Sequence, residues 1–320
     1  MSKLLRTILL TVVAFTPAIY SLAQGGVTNS TKNAQQVAAL HWYGANQAAA
    51  FSVGTFPGGL AFDGANLWVV SQVNNTVTKL RANDGATLAT FAVGQSPDGV
   101  AFDGANVWVS NANDATVTKL RGSDGVVLGT FNTGQLPNGI AFDGASIWVA
   151  NSGSNNVTKL RASDGTLLGT FATGQYPTHV AFDGSNVWIT NTSTNTVTRL
   201  RGSDGAALGT FTVGATPRGV AFDGASIWVA CSGNGLVYKL RASDGGLQGK
   251  FAIGPTPYGV AFDGANIWVV SFGNSNVTKL AASNGATLGT FSVGAGPEDL
   301  AFDGTYIWVV NVNDSTVSKL

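Results

Sequence analysis

The chain of 320 residues contains one cysteine, one methionine, two histidines and one glutamate, and only 11% of its residues are charged. The single cysteine, Cys231, excludes an internal disulfide, and we expect it to be a small buried hydrophobic residue. The sequence contains no Cys/His cluster of the kind that binds zinc. We therefore predict neither a metal site nor a cofactor.

The charge balance argues against two classes of partner. Lys3 and Arg6 lie in the first 23 residues, and without them the chain has 15 basic and 17 acidic residues. A net charge near −2 gives no electrostatic attraction for nucleic acid or anionic membranes. No later stretch reaches the ~18 uninterrupted apolar residues of a membrane span. We expect no nucleic-acid partner and no membrane span.

The N-terminal segment 1–23 has the pattern of a secretory signal peptide. Lys3 and Arg6 precede an apolar segment, Ile8–Tyr20, and Ser21-Leu22-Ala23 fits a small-x-small cleavage site. Cleavage near Ala23 would release a periplasmic or secreted bacterial protein. Residues 24–48 form an N-terminal lead segment that is polar over residues 24–36, and Val37–Trp42 within it resembles one additional strand. We expect that strand to lie beside the last blade or beneath the ring.

Nearly the same 40 residues then occur seven times. Proline recurs at positions 57, 97, 137, 177, 217, 257 and 297. Tryptophan recurs at 68, 108, 148, 188, 228, 268 and 308. A fixed period of this length indicates a repeat architecture.

Each repeat contains four short strand signals, of which the third copy is typical. They are strand a (Gly139–Asp143), strand b (Ile147–Asn151), strand c (Val157–Arg161) and strand d (Leu167–Thr173). Asp-Gly pairs, which favour hairpin turns, separate a from b and c from d. Four antiparallel strands per repeat are typical of a propeller blade. We therefore predict an all-β, seven-bladed β-propeller over residues 49–320.

The two ends of the repeat region are incomplete in complementary ways. The last copy stops after its strand c, whereas the segment at about 48–54 repeats a strand d without a blade of its own. We expect this N-terminal strand d to complete the seventh blade and so to remove two open sheet edges.

The repeat pattern P-x-G-V-A-F-D-G-x-x-I-W-V-x-N…N-x-V-T-K-L resembles the YVTN-type β-propeller repeat, and more distantly the NHL and streptogramin-lyase repeats. The resemblance covers residues 49–320 and implies a propeller. It implies no particular activity, because propellers host many unrelated functions.

Positions that are the same in every copy are expected to serve the blade. We expect the tryptophans to pack between blades and each Asp of the Ala-Phe-Asp-Gly segment to cap its own turn. Calcium is the alternative for that ring of carboxylates, but a single Asp per blade does not bring 6–8 oxygens to one point. The Lys or Arg of strand c also recurs, and we expect it to lie in solvent.

Positions that differ between copies are candidates for function, and they occur in the d–a and b–c loops, which antiparallel strands place on one face. The residue after each blade proline is Gly58, Asp98, Asn138, Thr178, Arg218, Tyr258 or Glu298. The next residue is Gly except at His179 and Asp299. We predict a ligand site at the mouth of the axial channel that includes Arg218, Tyr258, Glu298, His179, Asp98, Asp299 and Asn138. The alternative is that these are unconstrained loop residues.

The same positions do not suggest an obvious catalytic apparatus. No nucleophile, base and orienting group can be assembled around His179, and we assign no catalytic residue. Glu298 and Asp299 are adjacent, so on a regular strand they should point in opposite directions. We expect an exported, non-catalytic scaffold whose variable loops bind a protein, peptide or glycan. The alternatives are a lyase- or hydrolase-like enzyme that uses His179 or Glu298 at the axial funnel, and a structural cell-surface or matrix protein.

Overall fold

The computed structural model describes residues 49–320, which form seven antiparallel sheets of four strands each. The predicted signal peptide, the lead segment and Val37–Trp42 lie outside the described residues. Blades 1 to 6 follow the chain in order from Pro57, and blade 7 combines the first described strand with the last three. In residues 49–320, no helix has the length and apolar character that crossing a membrane requires.

Each blade has the strand order a-b-c-d from the axis outward. The a strands are β2 (Pro57–Phe62), β6 (Pro97–Phe102), β10 (Pro137–Phe142), β14 (Pro177–Phe182), β18 (Pro217–Phe222), β22 (Pro257–Phe262) and β26 (Pro297–Phe302). The b strands are β3 (Asn66–Ser71), β7 (Asn106–Asn111), β11 (Ser146–Asn151), β15 (Asn186–Asn191), β19 (Ser226–Cys231), β23 (Asn266–Ser271) and β27 (Ile307–Asn311).

The two outer positions complete the blades. The c strands are β4 (Thr76–Arg81), β8 (Thr116–Arg121), β12 (Asn156–Arg161), β16 (Thr196–Arg201), β20 (Leu236–Arg241), β24 (Asn276–Ala281) and β28 (Thr316–Lys319). The d strands are β5 (Thr87–Ala92), β9 (Val127–Asn132), β13 (Leu167–Ala172), β17 (Ala207–Thr212), β21 (Leu247–Ala252), β25 (Thr287–Ser292) and β1 (Ala49–Ser52). A single 3₁₀ turn, Phe272–Asn274, interrupts the b–c loop of blade 6.

The ring closes as the sequence predicts. Each a strand contacts the a strands of both neighbouring blades, and β26 contacts β2. Strand β1 pairs antiparallel with β28, so that Phe51 lies opposite Val317. The Phe51 ring lies 5.6 Å from that of Trp308, which joins the N-terminal strand to the core of the last blade. The predicted seven-bladed propeller and its non-covalent closure are confirmed.

The hydrophobic core lies between blades and is repeated around the ring. Between blades 3 and 4, Trp148 packs with Val187 and Ile189 of the next blade, and all three side chains have no exposed surface. Phe171 of strand d covers the same tryptophan, with ring centroids 5.5 Å apart. Because each cluster draws on two blades, a single blade cannot bury its own apolar faces.

The invariant Asp–Gly turn and the invariant tryptophan form one unit. Asp143 accepts hydrogen bonds at Oδ1 from the backbone N–H groups of Ala145 and Ser146, at 2.9 and 2.6 Å. Its Oδ2 accepts the indole N–H of Trp148 at 2.7 Å. The carboxylate thus caps its turn, as expected, and also satisfies the polar atom of a buried ring.

The expectation that the basic residues of strand c lie in solvent was wrong. Lys159 is 6% exposed, and its ammonium lies 4.9 Å from the centre of the Trp148 ring. The same nitrogen donates to the carbonyl oxygens of Gly202 and Ser203 in the next blade, at 2.5 and 3.1 Å. The lysine therefore joins adjacent blades.

The two ends of the propeller differ in their loops, as predicted. Ser152 in the b–c loop of blade 3 donates from its backbone N–H to the carbonyl oxygen of Leu136 in the preceding d–a loop, at 3.0 Å. At the opposite end, Ala162 donates in the same way to Ala145, at 3.0 Å, and joins the two invariant turns. The variable loops are thus hydrogen-bonded to one another on one face.

Candidate functional site

A cavity of about 210 Å³ lies on the propeller axis, and residues of all seven a strands line it. At roughly 30 Å³ per water molecule, it has room for about seven waters, which suits a small ligand. The predicted site residues that line it are Asp98, Asn138, His179, Arg218, Glu298 and Asp299. Thr178 also lines the cavity, whereas Tyr258 lies beside it in contact with Arg218.

A bulge at the start of each a strand brings two consecutive side chains to the cavity. In blade 7, Pro297 pairs with Asn311 and Leu300 pairs with Val309, so two residues of β26 lie opposite one residue of β27. Such a bulge removes the alternation of a regular strand. Glu298 and Asp299 therefore both line the cavity, and the expectation that they point in opposite directions was wrong.

The close approach of neighbouring a strands explains the glycines at the second variable position. A Cβ atom added at Gly139 would collide with the carbonyl oxygen of Thr178 in the next blade. Gly59, Gly99 and Gly219 face backbone carbonyl oxygens in the same way. His179 and Asp299 are the two residues of this ring that bring a side chain to the cavity.

Of the three carboxylates in the cavity, those of Asp98 and Asp299 accept hydrogen bonds from the protein. Asp98 accepts a hydrogen bond from the Gln72 side-chain amide at 3.0 Å, and burial nevertheless raises the pKa of its carboxyl. Asp299 accepts the backbone N–H of Leu300 at 2.9 Å and that of Leu60, in blade 1, at 3.4 Å. Burial raises the pKa of Asp299 to about 6, against these two hydrogen bonds. Asp299 thus also connects blade 7 to blade 1.

Glu298 differs from the other two cavity carboxylates in its hydrogen bonding. Within residues 49–320, no protein group donates a hydrogen bond to its carboxylate. Burial, with the nearby charges of Asp98 and Asp299, raises the pKa of Glu298 to about 7, although Arg218 acts in the opposite direction. The pKa of this carboxyl therefore lies close to neutral pH.

Arg218 is held in place by aromatic rings rather than by an acid. The centre of its guanidinium lies 5.0 Å from the centre of the Tyr258 ring, which in turn stacks on Phe272 at 5.2 Å. The buried Nε atom of Arg218 has no hydrogen-bond partner. Among the ion pairs of residues 49–320, none within 4.0 Å includes Arg218. Its donors are thus free to meet a ligand.

His179 contributes a neutral imidazole. Burial and the neighbouring positive charge of Arg218 lower the pKa of His179 to about 4. Its buried Nδ1 atom has no hydrogen-bond partner in the described chain. The strand is held instead through the His179 backbone N–H, which donates to Thr190 Oγ1 at 3.1 Å. Thr190 also hydrogen-bonds Thr178 at 3.1 Å.

Asn138 occupies the cavity in blade 3. Its backbone carbonyl oxygen accepts a hydrogen bond from Ser110 at 2.6 Å. With the carboxamide oriented so that its nitrogen faces the preceding loop, that nitrogen can donate to the carbonyl oxygens of Leu136 and Pro137 at 3.2 and 3.3 Å. Asn138 therefore supplies a neutral, partly satisfied polar surface.

Sequence reasoning missed two supporting residues in the b–c loops, Gln72 and Phe272. Gln72 reaches from blade 1 to Asp98 of blade 2, and Phe272 holds the ring of Tyr258. Each of the two residues differs in type from the residues at the same position in the other b–c loops, and this difference could have marked them as candidates. The repeat pattern does not indicate that they contact Asp98 and Tyr258.

Comparison with known proteins supports the fold and no narrower identity. No protein-family model matches the chain, and no curated protein matches its sequence. Hydrazine synthase of Kuenenia stuttgartiensis is similar in structure, with a TM-score of 0.74 and 20% identity over 84% of this chain and 97% of that one. A streptogramin B lyase is similar with a TM-score of 0.73 and 18% identity over 85% of this chain and 96% of that one. At these identities the likeness shows a shared propeller fold.

The cavity lining combines charged and neutral polar groups. Within residues 49–320, no group of three His, Cys, Asp or Glu side chains is placed to hold a metal ion. The lining provides hydrogen-bond donors on Arg218 and acceptors on Glu298, together with neutral polar groups. A ligand that enters would exchange water for these fixed partners.

Proposed function

We propose that the protein is an exported binding protein that holds a small polar ligand, or a polar end of a larger peptide or glycan, in the axial cavity. The observation that carries the proposal is that Arg218 and Glu298, two side chains of opposite charge, both line the cavity without a partner within residues 49–320. Both are charged groups on the wall of one cavity, and neither has a hydrogen-bond or ion-pair partner in the described chain. Leaving such groups unpaired costs stability, which a ligand would restore.

The loops around the cavity support a ligand that extends beyond it. Phe56, Leu136 and Tyr176 each directly precede a blade proline on the variable face, and their side chains are 45%, 40% and 42% exposed. Exposed aromatic and aliphatic groups on a loop face are typical of surfaces that bind peptides or sugars. They do not line the axial cavity, and Phe56 lines a separate depression with Gln72 and Ser96.

The test is a thermal-shift screen of the protein against amino acids, small sugars, peptides and peptidoglycan fragments. A ligand at 100 times its dissociation constant should add about 2.7 kcal/mol, which is roughly 5 °C for a domain of this size. Arg218→Met should abolish the shift. Arg161→Met is the matched control, since Arg161 is exposed and pairs with Asp164 at 3.0 Å. A shift that survives Arg218→Met would refute the axial site.

Acid–base catalysis is the second candidate, and one observation favours it. A carboxyl with a pKa of about 7, as in Glu298, is in the range where a general acid or base works best at neutral pH. If the protein is an enzyme, a ligand found in the screen should be turned over, and Glu298→Gln should stop turnover while leaving the ligand bound. An unchanged ligand after prolonged incubation would leave binding as the function.

Export is part of the same proposal. The basic start, the apolar segment and the small residues before Gln24 support cleavage near Ala23 and a periplasmic or secreted location. N-terminal sequencing of the protein recovered from a bacterial periplasm or medium tests it. A mature protein that begins at Gln24 is the expected result, and an intact Met1 would contradict it.

A further inference from the structure

The two unpaired charged groups of the cavity have opposite signs and lie on alternate blades. Arg218 belongs to blade 5 and Glu298 to blade 7, and Tyr258 of blade 6 lies between them in the ring. The Tyr258 ring lies 5.0 Å from the Arg218 guanidinium, so its flat face orients the donors. Long side chains of opposite charge in one small cavity would ordinarily pair with each other. Here, no ion pair within 4.0 Å joins them in the described chain.

The charge types constrain what could satisfy both groups at once. A purely anionic ligand could pair with Arg218, but it would bring its charge toward Asp98, Glu298 and Asp299. A purely cationic ligand could pair with Glu298, but it would be repelled by Arg218 and would leave the buried Nε atom of Arg218 without an acceptor. A ligand with one charge of each sign can pair with both Arg218 and Glu298. Each of its charged ends then replaces its hydrogen bonds to water with hydrogen bonds to the protein.

We infer that the axial cavity binds a zwitterion of the amino-acid class, with its carboxylate on the Arg218 guanidinium and its ammonium group on Glu298. The inference rests on the proposed function and specifies its ligand. The planar fork of an arginine matches a carboxylate in two parallel hydrogen bonds. Asp299 and Asp98 add negative potential around Glu298, where the ammonium group would bind. A cavity of about 210 Å³ restricts the bound part to a compact molecule.

The neutral side of the cavity fits the same ligand class. The imidazole of His179 is uncharged at neutral pH, and its Nδ1 atom is buried without a partner. Thr178 and Asn138 extend this polar, uncharged surface through blades 3 and 4. A backbone or side chain between the two charged ends of the ligand would meet these groups without an electrostatic penalty.

Isothermal titration with matched probes tests the inference. The zwitterions are the ω-amino acids from glycine to 6-aminohexanoate, and each is compared with the amine and the carboxylate of the same length, such as γ-aminobutyrate with butylamine and butyrate. We expect at least one zwitterion to bind ten-fold or more tightly than both of its singly charged analogues. A series in which no zwitterion exceeds its analogues overturns the inference.

Two variants assign the two ends of the ligand. Glu298→Gln should remove the advantage of the zwitterion over the matched carboxylate, and it should strengthen carboxylate binding because one repelling carboxylate is gone. Arg218→Met should reduce zwitterion affinity to that of the matched amine, and Arg218→Lys, which keeps the charge without the fork, should retain part of the affinity. Variants that bind the zwitterion as the wild type does would overturn the assignment. Circular dichroism and melting temperature verify that each variant is folded.

The proposed function can survive failure of this inference, and the two outcomes are distinguishable. If amines bind as tightly as zwitterions and Arg218→Met has no effect on them, the site is a cation receptor and the zwitterion inference is wrong. If only uncharged sugars or peptides shift the melting temperature, and Arg218→Met abolishes that shift, the axial site stands and the inference is again wrong.

Discussion

Replacing Glu298 by glutamine should stabilise the protein at high pH and leave its stability at low pH nearly unchanged. Burial and neighbouring carboxylates raise the pKa of Glu298 from 4.5 to about 7. The folded protein therefore holds this proton more tightly than the unfolded chain. Its contribution to stability is fully present below pH 4.5 and is lost as the pH rises through 7.

The size of the effect follows from the same two values. A difference of about 2.5 pKa units at 1.36 kcal/mol per unit gives a cost of about 3 kcal/mol for the ionised carboxyl. The Glu298→Gln variant has no such group. The difference in unfolding free energy between variant and wild type should therefore increase by about 3 kcal/mol between pH 4 and pH 8. Asp299, Asp98 and Arg218, which face the group, are present in both proteins.

Guanidinium unfolding at pH 4 and pH 8, followed by tryptophan fluorescence, measures this difference. Asp164→Asn is a useful control, because hydrogen bonds from Thr166 lower the pKa of the exposed Asp164 carboxyl to about 2. The control should show nearly the same stability difference from wild type at pH 4 and at pH 8, because a carboxyl with a lowered pKa contributes its stability above its ordinary pKa of 3.8 and loses it only at lower pH. Equal stability differences for Glu298→Gln at both pH values would refute the argument that the cavity leaves this carboxylate without adequate solvation.

Two further predictions concern the blades themselves. Lys159→Met, measured by the same unfolding assay, should lower the unfolding free energy by about 1–3 kcal/mol because it leaves buried carbonyl oxygens without a donor. Arg161→Met should change it by less than about 0.5 kcal/mol because Arg161 and Asp164 are half exposed. Equal costs for the two variants would contradict the inter-blade role of Lys159. Cys231 has no exposed surface, and burial raises the pKa of its thiol to about 12. It should not react with a disulfide reagent at pH 8 until the protein is unfolded, and rapid reaction of the folded protein would place the thiol at the surface.

The fold could be predicted from the sequence because the repeat supplies seven copies of each local signal. Period, Asp-Gly turns and the displaced N-terminal strand were sufficient to predict the blade number and the closure by β1. The position of Lys159 could not be predicted in the same way. A charged residue near a strand end is predicted to be solvent-exposed unless its side chain is known to reach the carbonyl oxygens of the next blade, as that of Lys159 does.

Most of the residues that line the cavity could be predicted from the sequence, but their geometry could not. Counting positions after each proline identifies Asp98, His179 and Glu298 as neighbours on one ring, since the ring makes equivalent positions converge. The bulge that turns both Glu298 and Asp299 to the axis has no clear sequence signal, because it comes from the register of β26 against β27. The contact of Arg218 with Tyr258 likewise depends on side-chain direction between blades.

The strongest argument that the cavity residues serve a ligand comes from blade 1, which has no charged side chain at the two variable positions. Gly58 and Gly59 occupy the two variable positions there, and β2 still pairs with β3 through the same bulge as its counterparts. The fold therefore requires no charged side chain at either position. Asp299 is the exception, because its carboxylate accepts a backbone hydrogen bond from Leu60 across the closure. In the described chain, Arg218 and Glu298 accept or donate no such hydrogen bond across the closure, and burial of the ionised Glu298 carboxyl lowers the stability of the free protein. That cost is explained if a ligand of matching charge compensates it.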